Sequence, residues 1–143
     1  MRFMMLIYPG EQAESGALPD EAQIAAMMKF NEEMAQAGVL IGLDGLQPSS
    51  KGARVRFSDG KPTVTDGPFT EAKELLGGYW VIQVNSKEEA VGWARRCPSV
   101  GGASNWMIEV RQMFETSDFG VDPASDLGAE MERVAESLGA KGP

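Results

Sequence analysis

Two predicted strands that are apolar on both faces limit most strongly what this chain can fold into. Residues 2–8, Arg-Phe-Met-Met-Leu-Ile-Tyr, carry large apolar side chains at odd and even positions alike, and residues 79–84 show the same pattern. Because successive side chains of a strand point to opposite faces, both faces need cover. We expect a helix of the same chain on one face and a partner subunit on the other.

The rest of the pattern predicts two strand–helix–strand units with a hairpin between them. Each long helix begins with a capping signature, Asp20 with Gln23 and Ser86 with Glu89, and Asp59-Gly60 is typical of a hairpin turn. This β-α-β-β-α-β order predicts an α+β, ferredoxin-like fold with an antiparallel sheet. The predicted elements are strands at 2–8, 39–46, 53–58, 61–65, 79–84 and 106–113, and helices at 21–37, 70–76 and 86–97.

The C-terminal segment differs in character from the rest of the chain. Residues 114–143 read as a loop followed by a helix at about 126–138, and that helix carries an apolar stripe. The chain therefore divides into a domain at 1–113 and a C-terminal arm at 114–143. We expect the arm to pack on its own sheet or on a partner.

Charge and composition narrow the classes of partner. A net charge of -8 argues against a nucleic acid and against an anionic membrane surface. Cys97 is the single cysteine, so the chain has no intramolecular disulfide, which favours the cytoplasm. The same thiol is expected at a helix C-terminus, which favours a small core residue over a nucleophile. No metal-ligand spacing or nucleotide fingerprint occurs in the sequence, so we expect no metal and no cofactor.

The chain contains no histidine, which removes the usual general base and pH-dependent switch. Acid–base chemistry would fall to a carboxylate, a tyrosine, a lysine or Cys97. Raising the pKa of a carboxyl group from about 4 to about 7 requires roughly 4 kcal/mol of differential interaction. The composition therefore disfavours proton-transfer catalysis without excluding it.

The run Asp66-Gly67-Pro68-Phe69 has two interpretations. Gly67 tolerates backbone angles that other residues resist, and Pro68 fixes its own φ, so the run suits a rigid corner between elements. Alternatively, the corner holds the Asp66 carboxylate at a cleft.

With this run and the order of its elements, the chain resembles the YCII-related, or DGPF-domain, family. Supporting runs are residues 3–8, Gly38-Val39-Leu40, Gly45-Leu46-Gln47-Pro48, Gly77-Gly78-Tyr79-Trp80 and Arg96-Cys97-Pro98. The resemblance implies a dimeric α+β barrel in which two sheets pack face to face. It also implies an association with alternative sigma factors. A His–Asp pair suggested for some members has no counterpart here, and Gln47 stands where histidine is expected.

Seven residues form the candidate site. Asp44 is a charge on an otherwise apolar strand face, and with Asp66 it is a candidate acid or base. The ligand-binding candidates, which would suit a small polar or anionic molecule, are Asn31, Arg54, Arg56, Tyr79 and Trp80. The alternative is structural: the arginines form a solvated strand face, one of them pairs with Asp44, and Asn31 is a hydrogen-bonded buried amide.

Three functions fit these residues. The first is a cofactor-free enzyme of the lyase or isomerase type, or a binder of a small organic molecule, in the cleft of a homodimer. The second is a non-catalytic regulatory protein that acts with an alternative sigma factor. The third is a homo-oligomeric scaffold without a ligand. The missing histidine favours the second and the third.

Overall fold

The computed structural model describes residues 1–99 and 105–139. The strands are β1 (Arg2–Tyr8), β2 (Leu40–Gly45), β3 (Ala53–Ser58), β4 (Lys61–Asp66), β5 (Gly78–Gln83) and β6 (Met107–Gln112). The helices are α1 (Glu11–Glu14), α2 (Glu21–Gln36), α3 (Lys87–Arg95) and α4 (Asp126–Gly139). The mixed α+β order that the sequence predicts is present. Two stretches differ from the prediction. Residues 9–18, for which the sequence predicts a loop, contain α1, and the predicted helix at 70–76 is a 3-10 turn at Ala72–Glu74.

Four strands form one antiparallel sheet in the order β2-β5-β1-β6, while β3 and β4 pair separately as a hairpin. The first strand is central, since it pairs with both β5 and β6. Met5 lies opposite Trp80 on one side and Val110 on the other, so all three residues share one face of the sheet. This register brings the buried positions of three strands together.

The core lies between this face and helices α2 and α3. Phe3, Met5 and Ile82 are at most 1% exposed, and each such side chain contributes roughly 1.5–3 kcal/mol by leaving water. From α2, Phe30 meets the ring of Trp80 edge-on, with centroids 5.8 Å apart. One face of the doubly apolar strands is thus covered by helices of the same chain, as predicted.

The opposite face of the sheet, which we call the outer face, is only partly buried in the described chain. Its apolar side chains come from the even-numbered residues of β1 and the odd-numbered residues of β5. Leu6 and Tyr79 stand opposite each other there, with Glu109 on the far side of Leu6. The partner subunit expected on this face stays a prediction.

Both predicted helix starts are confirmed. The N–H of Gln23 donates to the Asp20 side chain at 2.8 Å, and the Gln23 side chain accepts from the Asp20 N–H in return. The Ser86 hydroxyl accepts from the N–H of Glu89 at 3.1 Å. These bonds satisfy N–H groups that a helix start leaves free, which fixes where α2 and α3 begin.

The hairpin differs from the prediction in its burial. Asp59 and Gly60 both have positive φ, at 52° and 76°, as its tight turn requires. The alternation of residues 53–58 predicts that Val55 and Phe57 face inward, but they are 53% and 72% exposed. Alternation does give them a common face, but a two-stranded ribbon buries that face only if another layer packs against it.

The arm ends in a helix close to the predicted bounds. Arg2 of β1 holds its start, with 3.1 Å between the Arg2 Nε and the Glu115 carboxylate. Along α4, Leu127, Val134 and Leu138 are 55%, 56% and 68% exposed, so the apolar stripe is not buried in the described chain. Within residues 1–99 and 105–139, no helix combines the length and apolar character needed to cross a membrane.

Candidate functional site

A cleft of about 230 Å³ lies beneath α2, where β1 and β2 end and β5 begins. Its walls are mainly apolar, and its polar side-chain groups are the Asn31 amide and the Trp80 indole. We call it the α2 cleft. It is lined by Ile7, Pro9, Ala13, Met27, Asn31, Leu43, Asp44, Gly45, Leu46, Gly77, Gly78, Tyr79 and Trp80. An apolar concavity with a few polar groups is the usual form of a small-molecule site.

Helical and strand periodicity place the walls. Met27 and Asn31 are four residues apart on α2, so they lie one above the other on the same side. The floor depends on a close approach of β2 and β5, since a Cβ on Gly78 would lie 2.8 Å from the Asp44 carbonyl oxygen. Glycine at 78 therefore lets the two strands pair at this end of the sheet.

Asn31 is fixed by a hydrogen bond across the cleft. The Trp80 Nε1–H donates to Asn31 Oδ1 at 2.8 Å. The indole N–H can only donate, so the atom facing it must be the amide oxygen, and the orientation of the amide is set. Both interpretations of Asn31 thus have a physical basis, because the amide is bonded to a strand residue and also lines the cleft.

The structure divides the seven predicted site residues into two groups. Asn31, Asp44, Tyr79 and Trp80 all border the α2 cleft. Asp44 pairs with Tyr79 in the ladder, so these two side chains lie on the outer face, whereas Asn31 and Trp80 meet on the side of α2. The other three, Arg54, Arg56 and Asp66, lie on the exposed hairpin and are not part of the lining.

Arg54 has local partners on the segment that follows the hairpin. Its guanidinium carbon stacks 3.9 Å from the centre of the Phe69 ring, and its Nη1 lies 3.6 Å from the Glu71 carboxylate. The pKa of Glu71 is lowered, mainly by the hydrogen bond from the Thr70 hydroxyl and secondarily by its own backbone and by Arg54.

The Asp66–Phe69 run forms a tight corner. The Gly67–Pro68 peptide bond is cis. The Gly67 N–H donates to the Gly52 carbonyl at 2.9 Å, and the Phe69 N–H donates to the Ser49 hydroxyl at 2.9 Å. A Cβ on Gly67 would overlap the Ser49 carbonyl oxygen, so this position accepts only glycine without movement of the backbone. The corner thus packs directly on the loop that contains Ser49.

Two residues that the sequence prediction missed connect this corner to the cleft. The Glu14 carboxylate accepts from the Ser49 N–H at 2.7 Å and from the Ser49 hydroxyl at 2.5 Å. Glu14 belongs to α1, whose neighbouring residue Ala13 lines the cleft. The bonds span 35 residues, so no local sequence signal could have identified them.

The chemistry available in the cleft is limited. Asn31 supplies amide donors, and the carboxylate of Asp44 lies on the outer face of the sheet. In the part of the chain that the structure describes, no three Cys, Asp or Glu side chains cluster as a metal site would require. Cys97 lies outside the cleft, and burial raises the pKa of its thiol to about 11, which lowers its nucleophilicity at neutral pH.

Comparison with known proteins places the chain among relatives of undefined activity. The family model for the YCII-related domain matches residues 1–116. An uncharacterised protein of Rhizobium meliloti (strain 1021) is 33% identical over 115 residues, which cover 79% of this chain and 92% of that protein. The family match contains the whole four-stranded sheet and every residue that lines the α2 cleft, whereas α4 lies beyond it.

Proposed function

The chain belongs to the YCII-related family, and we propose that it binds a small polar organic molecule in the α2 cleft, as a homodimeric α+β barrel. The observation that carries this proposal is the composition of the cleft. The Asn31 amide and the Trp80 indole supply its polar groups, and the side chains of Met27 and Leu43 supply apolar contact. Apolar walls provide affinity, and a few polar groups orient the molecule.

The outer face of the sheet supports the homodimer. Met4, Leu6, Tyr79 and Val81 form its centre on two neighbouring strands, and all four are only partly buried. An apolar sheet face without cover is typical of an interface, and a second sheet packed on it would remove these side chains from water. The symmetric arrangement is a pair of sheets from two copies, packed face to face.

Any proton transfer by Asp44 would take place at the outer face of the sheet, where its side chain stands opposite Tyr79. Asp66, the other proposed acid or base, is exposed at the end of β4 and outside the lining. A cofactor-free lyase or isomerase activity would therefore depend on the Asp44 carboxylate, so Asp44→Asn would abolish it.

The test is a thermal-shift screen of small cyclic and acyclic organic molecules. A ligand present at 100 times its Kd adds about 2.7 kcal/mol of stability. For a chain of this size, that corresponds to a rise in Tm of roughly 5–10 °C. Leu43→Trp fills the cleft and should abolish the shift. Ile41→Trp is the matched control, because Ile41 is exposed on the same strand and outside the lining.

An equal shift in the wild-type protein and in Leu43→Trp would place the ligand elsewhere and refute the site. A screen in which nothing stabilises the wild type would favour the alternative, a regulatory protein that acts with another polypeptide such as a sigma factor.

A further inference from the structure

The charges around the α2 cleft define which molecules it can accept. No lysine or arginine occurs among the described residues that line it, and the side chain of Asp44 lies on the outer face, opposite Tyr79. The chain as a whole carries a net charge of -8. An anion would therefore leave water for an apolar cleft with no cation among the described residues of its wall to compensate.

The two arginines that would suit an anion are on the hairpin. Arg54 is stacked on Phe69 and lies 3.6 Å from the Glu71 carboxylate, and Arg56 is exposed on the same strand. Neither contributes to the lining of the cleft. Because both arginines lie outside the cleft, there is no electrostatic reason to expect a carboxylate or a phosphate in it.

The hydrogen bond between Asn31 and Trp80 gives the cleft a directional donor. Asn31 Oδ1 accepts from the indole N–H at 2.8 Å. Asn31 can offer a ligand the Nδ2 amide, which only donates, beside the remaining lone pair of Oδ1. A ligand that pairs with the Asn31 Nδ2 must present an acceptor, such as a carbonyl oxygen.

The volume limits the size of the ligand. About 230 Å³ is the space of roughly eight water molecules and falls below the range that is usual for drug-sized ligands. A single ring with a short substituent fits this space. The apolar side chains of Ile7, Met27, Leu43 and Trp80 suit the flat faces of such a ring.

We propose that the α2 cleft selects an uncharged, single-ring organic molecule that directs a carbonyl oxygen to the Asn31 amide, and that it rejects carboxylates. This inference rests on the proposed function, since it assumes that the cleft binds a small molecule. The inference narrows the expected ligand from any small polar or anionic molecule to a neutral molecule.

Acetophenone and benzoate are suitable probes, because they have similar shape and differ in charge. Their Kd values would be measured by two-dimensional NMR titration of the full chain, with the Asn31 side-chain amide and the Leu43 methyl groups as reporters. We expect acetophenone to bind at least tenfold more tightly than benzoate. Asn31→Asp keeps an oxygen for the Trp80 indole and loses the donor, so acetophenone binding should weaken about tenfold while the far-UV spectrum stays unchanged.

Leu43→Lys tests the charge argument, because it places a cation in the wall of the cleft. It should strengthen benzoate binding and narrow the difference between the probes to less than about threefold, with the Asn31 amide as reporter. Ile41→Lys adds the same charge on the same strand outside the lining and should leave both affinities unchanged. If benzoate binds as tightly as acetophenone to the wild type, the selectivity is refuted while the cleft stands as a binding site. If neither probe shifts the cleft reporters, the proposed function itself is overturned.

Discussion

Replacing Asn31 by alanine removes the acceptor of the Trp80 indole N–H. Trp80 is 5% exposed, so its N–H has no direct route to bulk water except through the α2 cleft. An unpaired buried donor costs about 1–3 kcal/mol. The higher helix propensity of alanine in the interior of α2 offsets about 0.6 kcal/mol of this loss in stability. The net expected loss is about 1 kcal/mol of unfolding free energy.

Urea unfolding followed by far-UV circular dichroism measures this loss. With m of about 2 kcal/mol/M, the midpoint should fall by about 0.5 M. Protomer concentration has to be held constant, since a dimer would make the midpoint depend on it.

A double-mutant cycle isolates the hydrogen bond itself. Trp80→Phe keeps an aromatic ring and removes the N–H, so its coupling energy with Asn31→Ala should be about 1 kcal/mol. The helix propensity of alanine cancels in the cycle. The matched control pairs Asn31→Ala with Trp93→Phe, because Trp93 stacks on Arg96 and not on Asn31. A coupling below about 0.3 kcal/mol between Asn31 and Trp80 would refute the assigned bond.

Three further predictions address the corner, the thiol and the outer face. Gly67→Ala should lower the free energy of unfolding, measured in urea, by more than about 1 kcal/mol, since its Cβ would overlap the Ser49 carbonyl. The control Gly92→Ala in α3 meets open space and should raise that free energy. Cys97 should react with a disulfide reagent at pH 8 roughly 100-fold more slowly than an unburied thiol. The reaction rate should rise as the pH approaches 11. A rate equal to that of glutathione would contradict the burial of Cys97. Leu6→Asp should halve the mass measured by light scattering from twice the chain mass of 15.4 kDa, and a monomeric wild type would contradict the dimer.

Local signals in the sequence determine much of this fold. The alternation of residues 2–8 predicts which side chains of β1 are buried, because the period of a strand is two. The caps at Asp20 and Ser86 are predictable, since each bond spans three residues. The turn at Asp59-Gly60 follows from the backbone angles that these residue types tolerate.

The relation between distant segments was not predictable in the same way. The exposure of Phe57 depends on the absence of a covering layer, which alternation within the hairpin does not report. The bond of Glu14 to Ser49 joins α1 to a 3-10 turn 35 residues later, and neither segment carries a pairing signal. The separation of Arg54 from Asp44 follows from a hairpin that pairs with itself and not with the main sheet. The site was therefore predictable on α2, β2 and β5, and less so where it depended on the hairpin.

A crystal structure of the full chain soaked with acetophenone tests the central claim most directly. The account predicts electron density for the ring between Met27 and Leu43, with the carbonyl oxygen within hydrogen-bond distance of Asn31 Nδ2 and with the Trp80 N–H still on Asn31 Oδ1. Density on the hairpin beside Arg54, with an α2 cleft that is collapsed or filled by protein side chains, would contradict it.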